Sequence, residues 1–163
     1  PKPFFFLLLA IWLHKGCSLQ CPPLPKLWTH NVTGNLAKVY NAYAESKCEL
    51  DADNWFKLYP DEHQIIARDI FEAIGAKSTD YIFDWGSGCG TKLRYLETHI
   101  GGSGFGIDIS SRGVRWSQRR STRSTFCLAD GTNLTWLPTD HFHHVISFGA
   151  LSLLYSSRAS YGE

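Results

Sequence analysis

The sequence lacks methionine altogether, including at position 1. We therefore expect the chain to be a fragment of a longer protein. Net charge is nearly absent as well, because sixteen basic residues are balanced by fifteen acidic ones among 163 residues. A chain without a strong electrostatic field has little to attract nucleic acid or an anionic lipid surface. The composition thus gives no strong nucleic-acid signal, and it leaves a single globular domain as the simplest expectation.

Long apolar runs are also scarce, and one of ten residues at positions 4–13 is the most informative. It is shorter than the roughly 20 residues that a transmembrane helix needs. Basic residues flank it and small residues follow it, as in the apolar region of a secretory signal. Residues 1–20 are therefore predicted to be a signal peptide or a short signal-anchor that attaches the chain to a membrane through residues 4–13. A secretory or membrane-associated location follows, with a cytoplasmic location as the alternative.

The five cysteines are an odd number and predict no complete disulfide framework. Cys89 and Cys127 fall in the predicted core, where we expect free thiols that pack as small apolar groups. Two sets of candidate metal ligands are disfavoured. The first has no familiar zinc spacing, and it comprises His14, Cys17, Cys21 and His30. The second leads into a strand, whose alternate residues point to opposite faces, and it comprises His141, His143 and His144. No metal site is predicted.

Helix and strand patterns alternate from residue 61 onward. Helices are predicted at 61–76, at 91–100 and after the capping serines Ser110 and Ser111. Strands are predicted from Tyr81 to the acid at 84, and at 105–109, 125–129 and 145–148. This order predicts an α/β doubly wound, mostly parallel sheet in residues 61–163. Residues 21–60 have no clear period and are predicted to be a linker followed by a covering segment.

A glycine-rich turn follows the first predicted strand, with glycine at every second position from Gly86 to Gly90. A strand, a tight glycine turn and a helix together present backbone N–H groups to a ligand. A dinucleotide fingerprint would require a third glycine at position 91, but Thr91 stands there. The spacing therefore disfavours a nicotinamide-dependent oxidoreductase. A tight turn without any ligand is the plainer alternative.

Three acids follow three successive predicted strands, namely Asp84, Asp108 and Asp130. Carboxyl ends of parallel strands line one crevice, which is where such sheets bind ligands. Acids also occur after strands simply as turn residues. Because the three acids accompany the glycine turn, we expect them to lie in register around one ligand.

These motifs, D-x-G-x-G-x-G first and then the two later acids, resemble those of the Rossmann-like (class I) S-adenosylmethionine-dependent methyltransferases over about residues 66–154. The resemblance implies S-adenosylmethionine as the cofactor. It implies that Asp84 orders the loop and the amino end of the cofactor, that Asp108 accepts both ribose hydroxyls, and that Asp130 takes the adenine amino group. The implied cofactor-binding residues are Asp84, Gly86, Ser87, Gly88, Gly90, Asp108, Ile109, Asp130, Gly131 and Ser147.

The implied activity is methyl transfer to an unidentified acceptor, in which the protein chiefly positions the reactants. No catalytic base is assigned. A complete domain of this family has further strands after the fourth, so we expect a sheet truncated there, with the fourth strand as an uncovered edge. The alternatives are a non-catalytic module that binds S-adenosylmethionine or acts through contacts, and, less favoured, a nicotinamide-dependent oxidoreductase.

Overall fold

The computed structural model describes residues 19–22, 31–48 and 60–150. Its helices are α1 (Asn31–Cys48), α2 (Pro60–Ala73), α3 (Thr91–Tyr95), which continues as a π-helix (Leu96–Ile100), and α4 (Ser111–Arg120). Its strands are β1 (Tyr81–Trp85), β2 (Ser103–Asp108), β3 (Thr125–Leu128) and β4 (His144–Ile146). Within this part of the chain, no helix combines the length and the apolar character needed to cross a membrane. The predicted signal or anchor lies almost wholly outside the described residues.

The strands form one parallel sheet in the order β3-β2-β1-β4. The prediction of an α/β, doubly wound parallel sheet is confirmed, since helices α3 and α4 provide the crossovers between consecutive strands. Among the described strands, β4 pairs only with β1 and is an edge. Val145 in this strand is 67% exposed, which agrees with the uncovered edge expected from the sequence.

Two apolar clusters cover the two faces of the sheet. On one face, Ile82 and Phe126 pack with residues of the helices, namely Ala67, Phe71, Leu93, Leu96 and Val114. On the other face, Phe83, Phe105 and Ile107 pack beneath Leu19 and the turn that carries Trp136. Each fully buried large side chain stabilises the fold by about 1.5–3 kcal/mol. The core is therefore built around β1 and β2, whose carboxyl ends carry the glycine turn and Asp108.

Helix α1 occupies part of the segment where the sequence predicts no regular element. Among the side chains described in this helix, the buried ones are small, namely Ala37, Ala44 and Cys48. Polar contacts hold it against α4. Asn41 Oδ1 accepts hydrogen bonds from the Ser110 and Ser111 hydroxyls and from the Arg112 N–H. The covering role predicted for residues around 55–59 concerns positions that lie outside the described residues.

The expectation of free thiols at Cys89 and Cys127 is wrong. Cys21 is disulfide-bonded to Cys127, and Cys48 to Cys89. Cys127 does lie in the core, but its partner comes from a segment distant in sequence, and sequence spacing carries no information about such proximity. The two bonds tie residues 19–22 to β3 and the end of α1 to the glycine turn.

Candidate functional site

The glycine turn folds back onto the end of β2. The N–H groups of Gly86 and Ser87 both donate to the Ile107 carbonyl, at 3.0 and 2.8 Å, and Gly90 N–H donates to the Ser87 carbonyl at 2.9 Å. Gly86, Gly88 and Gly90 all have positive φ, between 56° and 74°, a region that favours glycine. This geometry explains why the sequence places glycine at every second position.

Only one of these glycines opens onto free space. A Cβ on Gly86 or Gly90 would collide with neighbouring atoms at less than 3 Å, whereas a Cβ on Gly88 would have no atom within 4 Å. Gly88 is therefore the member of the turn whose missing side chain leaves room for a bound molecule. A substituent at this position would fill that room.

Asp108 clamps the turn to helix α4. Its Oδ2 accepts a hydrogen bond from Gly88 N–H at 2.8 Å, and its Oδ1 accepts one from Ser110 N–H at 2.7 Å. Burial raises the pKa of Asp108, while the bonds from Ser110 and Gly88 act in the opposite direction. Each carboxylate oxygen can accept a second hydrogen bond. The clamped side chain thus keeps the capacity to receive two donors from a ligand.

The three acids are staggered along the sheet and do not lie in register. Asp84 pairs with Gly106, so Asp108 lies two residues further along β2. Asp108 in turn pairs with Leu128, so Asp130 lies two residues beyond that level. At about 3.3 Å per residue, each step is about 7 Å. The expectation of a common level is corrected to a diagonal row, because neighbouring strands end at different heights.

Asp130 and Gly131 form a turn against Trp85. Asp130 Oδ1 accepts hydrogen bonds from the N–H and the hydroxyl of Thr132, at 2.9 and 2.7 Å. The Trp85 indole N–H donates to the Gly131 carbonyl at 2.9 Å, and a Cβ on Gly131 would lie 2.2 Å from that indole nitrogen. Packing of Trp85 is therefore enough to require glycine at position 131.

Asp84, near the end of β1, is fully buried, and neither of its carboxylate oxygens accepts a hydrogen bond of good geometry from the residues that the structure describes. Its nearest counter-charge is Lys92, whose Nζ lies 3.3 Å from Oδ2. Burial raises the pKa of Asp84, Lys92 opposes that rise, and the nearby Asp108 adds to it. Buried polar atoms are normally hydrogen-bonded, and an unsatisfied one costs about 1–3 kcal/mol. Asp84 is thus built to receive donors that the described part of the chain does not supply.

Two hydroxyls at the same end of the sheet are also buried polar groups that lack a hydrogen-bond partner among the described residues. Ser87 Oγ and Ser147 Oγ are buried without hydrogen-bond partners. Ser87 lies in the glycine turn, and Ser147 directly follows Ile146, the residue of β4 that pairs with Asp84. Three sequence-predicted site residues therefore present unsatisfied polar atoms at the carboxyl ends of β1 and β4.

Lys92 is the residue that the sequence motifs did not identify. It stands in the first turn of α3, where the positive end of the helix dipole disfavours a cation. A lysine at a helix N-terminus, where acids are favoured, is the sequence signal that could have identified Lys92.

In the described ranges, no group of three or more His, Cys, Asp or Glu side chains is placed to hold a metal ion.

Comparisons with known proteins identify solved structures that share the fold of this chain. No family model and no curated protein matches the sequence. A chain from the complex between the Haloferax volcanii Trm112 methyltransferase activator and a proposed methyltransferase is 28% identical, with a TM-score of 0.51. The match covers 66% of this chain and 46% of that one.

Two further solved structures are similar at lower identity. A proposed S-adenosylmethionine-dependent methyltransferase of Methanococcus maripaludis is 19% identical with a TM-score of 0.57, over 69% of this chain and 51% of its own. Magnesium protoporphyrin IX methyltransferase of Synechocystis, with S-adenosylhomocysteine bound, is 18% identical with a TM-score of 0.54. That match covers 80% of this chain and 66% of the Synechocystis chain. The chain thus spans about half the length of the first two structures.

Proposed function

We propose that this chain, which has the Rossmann-like fold of the class I S-adenosylmethionine-dependent methyltransferases, binds S-adenosylmethionine as the cofactor-binding part of a methyltransferase. The observation that carries the proposal is the 2.8 Å hydrogen bond from Gly88 N–H to Asp108. It joins the open glycine directly to the acid that the family resemblance assigns to ribose. The methyl acceptor is not assigned.

The polar groups of the cleft fit this cofactor. Asp108 offers two acceptor oxygens to a pair of vicinal hydroxyls, and the unsatisfied Asp84 offers two to an ammonium group. S-adenosylmethionine, when bound, supplies an electrophilic methyl group on a sulfonium. The residues of this chain would bind and orient it, with Ile109, Asp130, Gly131 and Ser147 as further proposed contacts.

A non-catalytic module that binds S-adenosylmethionine is the second candidate. It would need only the groups around Gly88 and Asp108 that the described residues bring together. The two candidates share the cofactor and differ in chemistry. Transfer of a labelled methyl group to any member of a panel of acceptors would favour the enzyme, and binding without transfer would favour the module.

Isothermal titration calorimetry with three ligands tests the proposed cofactor. S-adenosylmethionine and S-adenosylhomocysteine are expected to bind, whereas NAD is expected not to bind, because Thr91 replaces the third glycine of a dinucleotide turn. Binding of NAD in preference to both adenosyl ligands would contradict the proposal. Failure of both adenosyl ligands to bind a folded chain would contradict it as well.

Substitution of Gly88 by alanine is expected to abolish most cofactor binding with little loss of stability. The new methyl group meets no protein atom within 4 Å, so only the positive φ is penalised, by about 1–2 kcal/mol. Affinity for S-adenosylhomocysteine should fall more than about tenfold, because the methyl group occupies ligand space. Urea unfolding and calorimetry would measure the two effects.

The matched control is Gly90→Ala in the same turn. Its Cβ would lie 2.7 Å from Ser117 Oγ and 2.9 Å from Phe126 Cζ, both inside the packed core. Overpacking adds about 1–3 kcal/mol to the φ penalty, so this variant should be clearly the less stable of the two. Equal stability of the two variants, or unaltered ligand affinity in Gly88→Ala, would refute the assignment of Gly88 as the open position.

We also propose that the chain matures in the secretory pathway. Two disulfides are usual in an oxidising compartment and rare in the cytosol, and the apolar run at residues 4–13 fits the same route. A cytoplasmic protein would instead keep these thiols reduced. The state of the cysteines in protein isolated from cells therefore decides between the two locations.

A further inference from the structure

Lys92 and Asp84 form the most buried ion pair among the described residues. Their side chains are 13% and 0% exposed, whereas the arginine–carboxylate pairs of Arg68 and Arg112 are far more exposed. Removing two charges from water is costly unless further hydrogen bonds satisfy them. Asp84 has none, so the pair is incompletely satisfied as it stands.

The position of Lys92 is not explained by helix stability. It is the second residue of α3, and helix N-termini favour acids. Asp84 lies two residues before Gly86 and Lys92 lies two residues after Gly90, so the pair spans the glycine turn. A cation is therefore held next to the turn despite the unfavourable helix dipole.

The unsatisfied groups around this pair define the ligand chemistry. The Asp84 carboxylate keeps acceptor capacity beyond its contact with Lys92, and the lysine ammonium has hydrogen atoms left to donate to an anion. The hydroxyls of Ser87 and Ser147 can donate or accept. One negative and one positive group at close range are complementary to a zwitterion, because its ammonium can approach Asp84 while its carboxylate approaches Lys92.

We propose that Lys92 is a specificity-determining residue that binds the α-carboxylate of the amino-acid end of the adenosyl ligand, while Asp84 takes the α-ammonium. The bound arrangement alternates in charge, from Lys92 to Asp84 to ammonium to carboxylate. Both buried side chains gain partners when the ligand binds. This inference rests on the proposed function and adds to it the group that distinguishes an amino-acid tail from a plain amine.

The test compares three thioether ligands on wild type and on Lys92→Met, by calorimetry on the full chain. S-adenosylhomocysteine carries both charges, its decarboxylated analogue carries only the amine, and 5′-methylthioadenosine carries neither. In Lys92→Met, affinity for S-adenosylhomocysteine is expected to fall about tenfold or more. Affinity for the other two ligands is expected to change less than about twofold, and Lys92→Arg should restore the preference for the carboxylate.

A merely structural lysine would give a different pattern. If Lys92→Met weakens all three ligands equally, or none of them, the assignment of Lys92 to the carboxylate is overturned. Lys92→Met leaves the buried Asp84 without a counter-ion, which could unfold the chain. The double variant Asp84→Asn/Lys92→Met avoids this, because it supplies a neutral pair of similar volume. The proposal requires this variant to lose the preference for S-adenosylhomocysteine over its decarboxylated analogue, and a preserved preference overturns it. If wild type binds none of the three ligands, the proposed function itself fails, which is a distinct result.

Discussion

Replacement of Asp108 by alanine is expected to weaken S-adenosylhomocysteine binding at least about tenfold. Hydrogen bonds to a charged group contribute about 1.5–3 kcal/mol each, so the loss of even one bond to ribose suffices. The substitution also removes the acceptor for Gly88 N–H and Ser110 N–H, which frees the glycine turn from α4. Loss of the ribose hydrogen bonds and release of the turn both weaken ligand binding. Calorimetry on the folded variant would measure their combined effect on affinity.

Asp69→Ala is the control, because Asp69 is an exposed carboxylate on α2 that pairs only with its neighbours on the helix surface. The Asp69→Ala variant should bind S-adenosylhomocysteine with the affinity of wild type. Both oxygens of Asp108 are free to accept from hydroxyls only when the acid is ionised, and burial raises the pKa of Asp108. Affinity should therefore fall on acidification at a higher pH than for an exposed aspartate. Unchanged affinity in folded Asp108→Ala would mean that the ligand lies elsewhere.

Removal of the disulfides is expected to have the largest effect on stability. The bonds join residues 41 and 106 positions apart, and the chain-entropy relation gives upper values of about 4 and 5 kcal/mol for such loops. Domains are stable by only about 5–15 kcal/mol, so loss of both bonds should leave a largely unfolded chain. Urea unfolding of Cys48→Ser/Cys89→Ser and of Cys21→Ser/Cys127→Ser would measure each contribution separately.

The two disulfide variants should differ in their effect on the cleft. Cys89 lies between Gly88 and Gly90, so loss of its bond to Cys48 is expected to weaken S-adenosylhomocysteine as well. Cys127 lies in β3, outside the turn itself and separated from β1 by β2, so its bond provides the comparison. Alkylation of denatured, unreduced protein isolated from cells should label none of Cys21, Cys48, Cys89 and Cys127. Labelling of these four thiols would contradict both the pairing and the proposed secretory route.

Much of the fold followed from local patterns. The strand from Tyr81, the helix at 91–100 and the cap at Ser110 are specified by residues close together in sequence, and each appears where it was expected. The glycine turn was equally local, because positive φ at alternate positions requires glycine there and nowhere else nearby. Helix α1 was not predicted, because residues 21–60 show no clear hydrophobic period and the buried side chains described in the helix are small.

The sequence alone determined the α/β alternation, the glycine turn and the acids that follow the strands, because each depends on backbone preferences and periodicity over a few residues. Only the tertiary structure decided which cysteines pair, how far the acids are offset, and that Lys92 reaches Asp84 inside the protein. These facts depend on the heights at which neighbouring strands end and on contacts between distant segments. Chain spacing does not encode such distances, so they are fixed only when the sheet and its covering helices pack together.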